Sequence, residues 1–329
     1  MDWGQIVVII TIILTLIVLY MRYADHTSYL DLQKVYDKRP IMWVYIDDSD
    51  VNTRFWSDFG ARSSRALNVP FLNLCYSTIQ KAAGDNYRVE LISGVSDALT
   101  KLKPGSAALS DAVSKLGGAR HVPERLLGLG QKKMLTPLDE AYIRTAILER
   151  HGGLWAPLST IFLRPLPVLP ADRAVFFGTN QADLYSGSAG TAVPGHAVFW
   201  SPAPGHVVYT EWADMLQKRM EEGNGGSWVR GDDALDMDAL LAKYKDTHIT
   251  VLPGAALDRK PNGKTIGIED WLAHGTGGDL PFAINQDSLF MPMDYAELVR
   301  RRAYGWFLKM SETQIAESDL VVKYMLQAF

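Results

Sequence analysis

The chain is poor in cysteine, with Cys75 the single one among 329 residues. No intrachain disulfide can form, so a buried core must hold the fold, and a reducing compartment suits it. No Asn-x-Ser/Thr glycan acceptor occurs. The seven histidines show no metal-ligand spacing. Positive charge is not in excess: 33 Lys and Arg stand against 37 Asp and Glu, a net charge of −4. The electrostatic footprint of a nucleic-acid partner is therefore missing. Internal repeats and low-complexity tracts are absent, and no Ser/His/Asp triad can be assigned from spacing.

One long apolar run is present, at residues 6–21, interrupted only by Thr11 and Thr15. As a helix it spans roughly 24 Å, near the thickness of a bilayer's hydrocarbon layer. Trp3, Tyr20 and Tyr23 fall at its ends, where amphipathic rings favour the membrane interface. Asp2 precedes the run with no basic residue, and no small-x-small cleavage site follows it, which argues against a cleaved signal peptide. The expectation is one N-terminal transmembrane helix (domain 1–23) contacting the lipid bilayer through residues 5–21. Arg22, Lys34, Lys38 and Arg39 follow the run, so the positive-inside rule puts the large domain in the cytosol. Residues 24–39 read as a polar connector.

The remainder is long enough for one large α/β domain, expected at 40–290, with a helical extension at 291–329. Strands are predicted at 42–46, 88–92, 160–163, 174–177, 197–200 and 249–252. Phe71, Leu74, Cys75, Thr78, Ile79 and Ala82 have helical spacing, and Cys75 falls on the apolar face, so its expected role is core packing. A further helix spans 207–220. Asp294 with Glu297 and Ser311 with Gln314 are cap pairs that predict helices at 295–309 and 312–328. Alternating strands and helices argue for a mostly parallel sheet with helices on both sides.

The most informative segment runs from Leu135 to Leu166. Thr136 is a suitable N-cap, Pro137 fits the first helical position and Asp139 lies at capping-box distance. Gly152 can close that helix, and Gly153 allows a tight turn into Leu154-Trp155-Ala156. The strand at 160–163 then ends at Arg164-Pro165.

This segment resembles the metal-binding stretch of the capsular-polysaccharide-synthesis glycosyltransferases and related DXD sugar-binding transferases. Arg144, Gly152, Gly153, Trp155, Arg164 and Pro165 match the pattern. Upstream, residues 41–46 resemble the family's first strand, and 71–92 its next helix and strand, with Cys75 and Ser77 inside the match. The resemblance covers roughly residues 40–165 with gaps and fades beyond. It implies a GT-A-like, Rossmann-type sheet and sugar transfer from a nucleotide-sugar donor.

The family's acids are missing here. The first motif's acid falls on Ala141, the second motif's acid on Pro157 and its last position on Ser159. Departure of a nucleoside diphosphate develops negative charge, which many such enzymes offset with a divalent cation held by carboxylates. Mg²⁺ and Mn²⁺ want oxygen ligands; Pro157 offers none from its side chain and Ser159 only a neutral hydroxyl. No cofactor is therefore implied, save Mn²⁺ or Mg²⁺ if acids outside the motif substitute. Candidate nucleotide-sugar contacts are Asp47, Asp48, Asp139, Arg144 and Trp155; Lys132, Lys133, Arg144 and Arg164 are cations able to meet a diphosphate.

Asp47-Asp48-Ser49-Asp50 follows the first strand, where ligands of open α/β sheets bind. The same acids equally suit the N-cap of a helix carrying Phe55, Trp56 and Phe59. A calcium loop is excluded, because Phe59 stands where its bidentate Glu belongs and Thr53 replaces the turn glycine. The loops 128–133 and 274–279 are glycine-rich with polar residues, a weak phosphate signal. His196 and His206 each follow a glycine and read as turn residues. Arg300-Arg301-Arg302 beside Trp306-Phe307 reads either as a solvated edge next to core aromatics or as a membrane-facing patch.

Three functions remain open on sequence. One is a membrane-anchored transferase with weakened or lost metal-dependent transfer. Another is a non-catalytic block in a membrane-associated assembly with protein partners, such as a minor capsid or membrane-linking protein of a large virus. The last is a lectin-like receptor that binds sugar without turnover.

Overall fold

The computed structural model describes residues 37–46, 69–102, 126, 135–180, 198–222, 233–275 and 280–328. The span at 5–21, most of the connector, Asp47, Asp48, His196, the loop 128–133 and residues 276–279 of the loop 274–279 lie outside the described residues. Among those that are described, no helix is long and apolar enough to cross a membrane. The chain divides into two units, Met1–Arg39 and Pro40–Phe329.

In chain order the second unit gives β1 Ile41–Ile46, α1 Val69–Ala83, β2 Arg88–Ser93, α2 Gly94–Leu102, α3 Pro137–His151, β3 Gly153–Pro157 and β4 Ile161–Phe162. There follow β5 Ala174–Thr179, β6 Phe199–Ser201, α4 Val207–Glu221, α5 Asp233–Tyr244, β7 Ile249–Ala256, α6 Ile268–Trp271 and β8 Phe290–Met291. The C-terminal part supplies α7 Tyr295–Arg300, α8 Glu312–Glu317 and α9 Val321–Leu326.

The strands form one eight-stranded sheet ordered β2-β1-β3-β6-β5-β7-β8-β4. β2, β1 and β3 are mutually parallel, as are β5, β7 and β8. β6 runs against both its neighbours and β4 against β8, so the sheet is mixed, with β6 interrupting the expected parallel order.

The sheet separates two cores, as the two-residue alternation of strand side chains requires. Met42, Val44, Leu154, Ala156, Phe177 and Phe290 face α1 and the C-terminal helices. Trp43, Trp155, Phe176 and Phe199 face α3, α4 and α5. Helices thus cover both faces, in keeping with an α/β layer architecture. Residues of the C-terminal segment, among them Phe307, Leu308, Val321 and Met325, belong to the first core.

Several boundaries differ from the sequence expectation. The helix at 295–309 stops at Arg300, because Arg301 turns to an extended backbone (ψ 108) and short 3-10 turns follow. The helix at 312–328 is cut at Ser318, also extended (ψ 165), whose hydroxyl donates back to Ile315 O at 2.8 Å. The strand expected to end at Leu252 continues through Pro253-Gly254 to Ala256, with Gly254 at φ 77 and a register shift opposite. Strand β3, framed by glycine and proline, is an element that residue preferences alone disfavour.

Candidate functional site

Three neighbouring parallel strands finish together. Tyr45 pairs with Ile92 and with Pro157, and Ile46 pairs with Ser93. The carboxyl ends of such strands are where an open α/β sheet receives ligands. Asp47 and Asp48 follow Ile46 directly in sequence. On the β2 side, α2 begins at once, and Asp97 accepts from the Ser93 backbone amide at 3.1 Å.

Helix α3 and strand β3 are joined by the double glycine. Gly152 and Gly153 have φ of 66 and 96, the left-handed region that favours glycine. A Cβ on Gly153 would stand 2.3 Å from Ile41 O, so only glycine lets β3 approach β1. The Trp43 indole donates to Gly152 O at 2.9 Å and pins the junction.

At the start of α3 the sequence-predicted capping box is present. Thr136 Oγ1 accepts from the Asp139 amide, and Asp139 Oδ2 accepts from the Thr136 amide at 2.9 Å and its hydroxyl at 2.6 Å. Asp139 is 1% exposed. Its carboxylate therefore serves the helix terminus, where a negative group also complements the helix dipole.

Arg144, midway along α3, is buried with its guanidinium 4.5 Å from the Phe199 ring centroid and 5.1 Å from that of Trp212. Guanidinium over aromatic faces is a favourable cation–π arrangement. Trp155 is buried in the same core, stacked on Tyr45 at 5.4 Å and 24°. Asp139, Arg144 and Trp155 thus all belong to the layer between the sheet and α3–α4.

The positions of the missing acids are equally definite. Ala141 is buried in α3, and its carbonyl accepts from the Thr145 hydroxyl at 2.8 Å. Pro157 ends β3 beside Tyr45, half-buried. Ser159 donates its hydroxyl to Met293 O at 3.1 Å, tying the β3–β4 turn to the segment after β8. Among the described residues, no group of three or more His, Cys, Asp or Glu is placed to hold a metal ion. Pro157 and Ala141 have no side-chain oxygen and Asp139 is engaged in its cap, so these described positions do not offer the oxygen set a divalent cation needs.

Other groups named from sequence have plain roles. Burial pushes the Cys75 thiol well above its ordinary range, leaving it an inert part of the core. His206 stands at the start of α4 with its ring 5.9 Å from that of His248, and burial holds it below the usual imidazole value, aided by that neighbour. Arg301 pairs with Glu269 and Glu297, which joins the basic stretch to α6 and α7. Trp306 is half exposed and lies edge-on to the buried Phe307.

Asp258, just past β7, escaped the sequence reading. It is 9% exposed, and burial pushes its carboxyl up to about 6, against a smaller lowering by Arg259 whose Nε is 3.4 Å away. Asn180, just past β5, accepts from the Asp258 and Arg259 amides at 3.3 and 2.9 Å and donates to Arg259 O at 2.8 Å. The available signal was an acid directly after an apolar run, the one that picked out Asp47; Pro253-Gly254 hid it by suggesting an earlier strand end.

No family model matches the chain, and no curated protein matches it. Among solved structures, the WbbM bifunctional glycosyltransferase in its apo form is similar at 10% identity with a TM-score of 0.36. The match covers 83% of this chain and 52% of that one, so the chain spans about half of that protein's length.

Proposed function

We propose that the chain is a glycosyltransferase-like protein that takes a nucleotide-sugar donor at the carboxyl ends of β1, β2 and β3, with metal-dependent transfer weakened or lost. The support is the residue pattern at 135–166 together with three parallel strands whose carboxyl ends adjoin. The observation that carries the loss is Pro157: the register sets a side chain without an oxygen beside the end of β1. Lewis-acid stabilisation of a departing diphosphate needs a cation held by oxygen ligands, which these positions no longer provide.

A donor-transfer assay with labelled UDP- and GDP-sugars and Mn²⁺ tests this reading. The expected result is no turnover above uncatalysed hydrolysis; robust Mn²⁺-dependent transfer contradicts it. Membrane attachment through residues 5–21 is part of the proposal and rests on the apolar run with its aromatic flanks. Carbonate-resistant sedimentation with membranes is expected, and its loss on deleting those residues.

A second reading, a non-catalytic block in a membrane-associated assembly, is favoured by one observation. Asp139 and Arg144, both candidates for donor contact, are occupied in capping and packing. Full donor binding by calorimetry counts against it.

A further inference from the structure

The segment that leaves β4 has a pattern beyond the Arg164-Pro165 match. It reads Arg164-Pro165-Leu166-Pro167-Val168-Leu169-Pro170, three prolines in seven positions. Proline locks its own φ near about −65° and pushes the residue before it into extended or polyproline II backbone. Every residue of the seven except Val168 is constrained in one of these ways, and the stretch is neither helix nor strand. A β-strand would alternate its burial every second residue, whereas polyproline II turns once in three. Here the period is three: Leu163, Leu166 and Leu169 are 2%, 2% and 7% exposed and belong to the first core.

The core thus holds one of the three edges, and hydrogen bonds to the backbone pin it. Leu163 N donates to Leu289 O at 2.8 Å and Leu166 N to Ala82 O at 3.0 Å. The Tyr87 hydroxyl donates to Pro167 O at 2.9 Å, and the Trp200 indole to Pro170 O at 2.8 Å. The other two edges face outward as one pair per turn: Arg164-Pro165, Pro167-Val168 and Pro170-Ala171. Pro165, Pro167, Val168 and Ala171 are exposed, Arg164 and Pro170 half-buried, and Val168 reaches 83%. A single exposed valine needs no explanation. A stiff proline ridge with an apolar pair on each turn is, however, the shape that aromatic-lined grooves read.

We propose that residues 164–171 form a docking ridge for a protein partner whose groove is lined by aromatic side chains and flanked by an acid. The rings take the Pro167-Val168 and Pro170-Ala171 pairs, since a groove can touch two of the three edges of such a helix. The acid answers Arg164, whose cation marks one end and fixes the direction in which the ridge is read. At the opposite end Asp172 and Arg173 lie 3.9 Å apart and offset one another. From Arg164 to Ala171 the ridge is about 22 Å long at the polyproline II rise. The edge is already fixed, so no chain has to be ordered on binding, which favours affinity. Leu166 and Leu169, which a free peptide of this sequence would also offer, are closed to the partner by the core.

Calorimetric titration of the full chain with purified SH3- and WW-type domains, whose grooves are aromatic-lined, tests the ridge at low and high salt. At least one domain is expected to bind with a Kd below about 100 μM. Val168→Asp and Pro167→Ala should each weaken it by about tenfold, and Arg164→Gln should weaken it mainly at low salt. Thermal scans check that the variants are folded; if Pro167→Ala is not, Val168→Asp decides. No binding by any of these domains up to about 1 mM overturns the proposal, as does binding undiminished in Val168→Asp. Binding to the free peptide 163–171 but not to the folded chain also overturns it, because the leucine edge is then the one read. Val168-dependent self-association in light scattering would put a second copy of this chain on the ridge and overturns it too.

Discussion

Asp258 carries a buried carboxyl next to Arg259. Its carboxyl rises from an ordinary 3.8 to about 6 because burial penalises the charged form more than Arg259 favours it. The folded protein therefore holds this proton more tightly than the unfolded chain. The contribution is complete below about pH 4 and is lost as pH rises through about 6, a change of about 3 kcal/mol by linkage. Asp258→Asn removes the titration while keeping the shape. Thermal scans from about pH 5 to about pH 8 should show the wild type losing stability where the variant does not, with the variant the more stable at the upper end. Equal pH profiles would refute the burial argument. At the same scale, Pro157 and Ala141 offer no side-chain oxygen, the basis of the proposed loss of metal-dependent transfer.

At the scale of elements, the α3–β3 junction decides how the sheet is built. Thr136 and Asp139 start the helix, and the glycine pair ends it and brings β3 against β1. Gly153→Ala must bear both a left-handed backbone and a Cβ 2.3 Å from Ile41 O. A loss of about 3 kcal/mol or more in denaturant unfolding is expected, whereas a loss under about 1 kcal/mol would mean that β3 is free to shift. Most of this junction was legible in sequence, because caps and glycine stops are local signals. So were β1, β2, β5 and helices α1, α3 and α4, whose apolar periodicity is clean. Strand β3 itself was not, since its pairing comes from β1 and not from its own composition. Nor were the breaks at Arg301 and Ser318, where the backbone turns extended, or the extension of β7 past Gly254, which is set by its pairing with Thr179 and Phe290. The candidate site divides the same way: the missing acids at Ala141, Pro157 and Ser159 were visible, while the burial of Arg144 and Trp155 required the packed layers.

Across the whole second unit, the sheet acts as a wall between two apolar cores. Trp212 anchors one of them, fully buried and within ring contact of Phe176 and Phe199, with Arg144 above it. Trp212→Ala should cost about 4 kcal/mol, with lost near-ultraviolet circular dichroism and a lowered denaturation midpoint. A change near zero would show that α3 and α4 do not depend on one packed layer.

The central claim is a donor-binding scaffold freed from its cation, and calorimetry of UDP- and GDP-sugars in Mn²⁺ and again in chelator tests it most directly. The account predicts saturable binding whose affinity is the same in both. Binding that appears only with Mn²⁺ would contradict it.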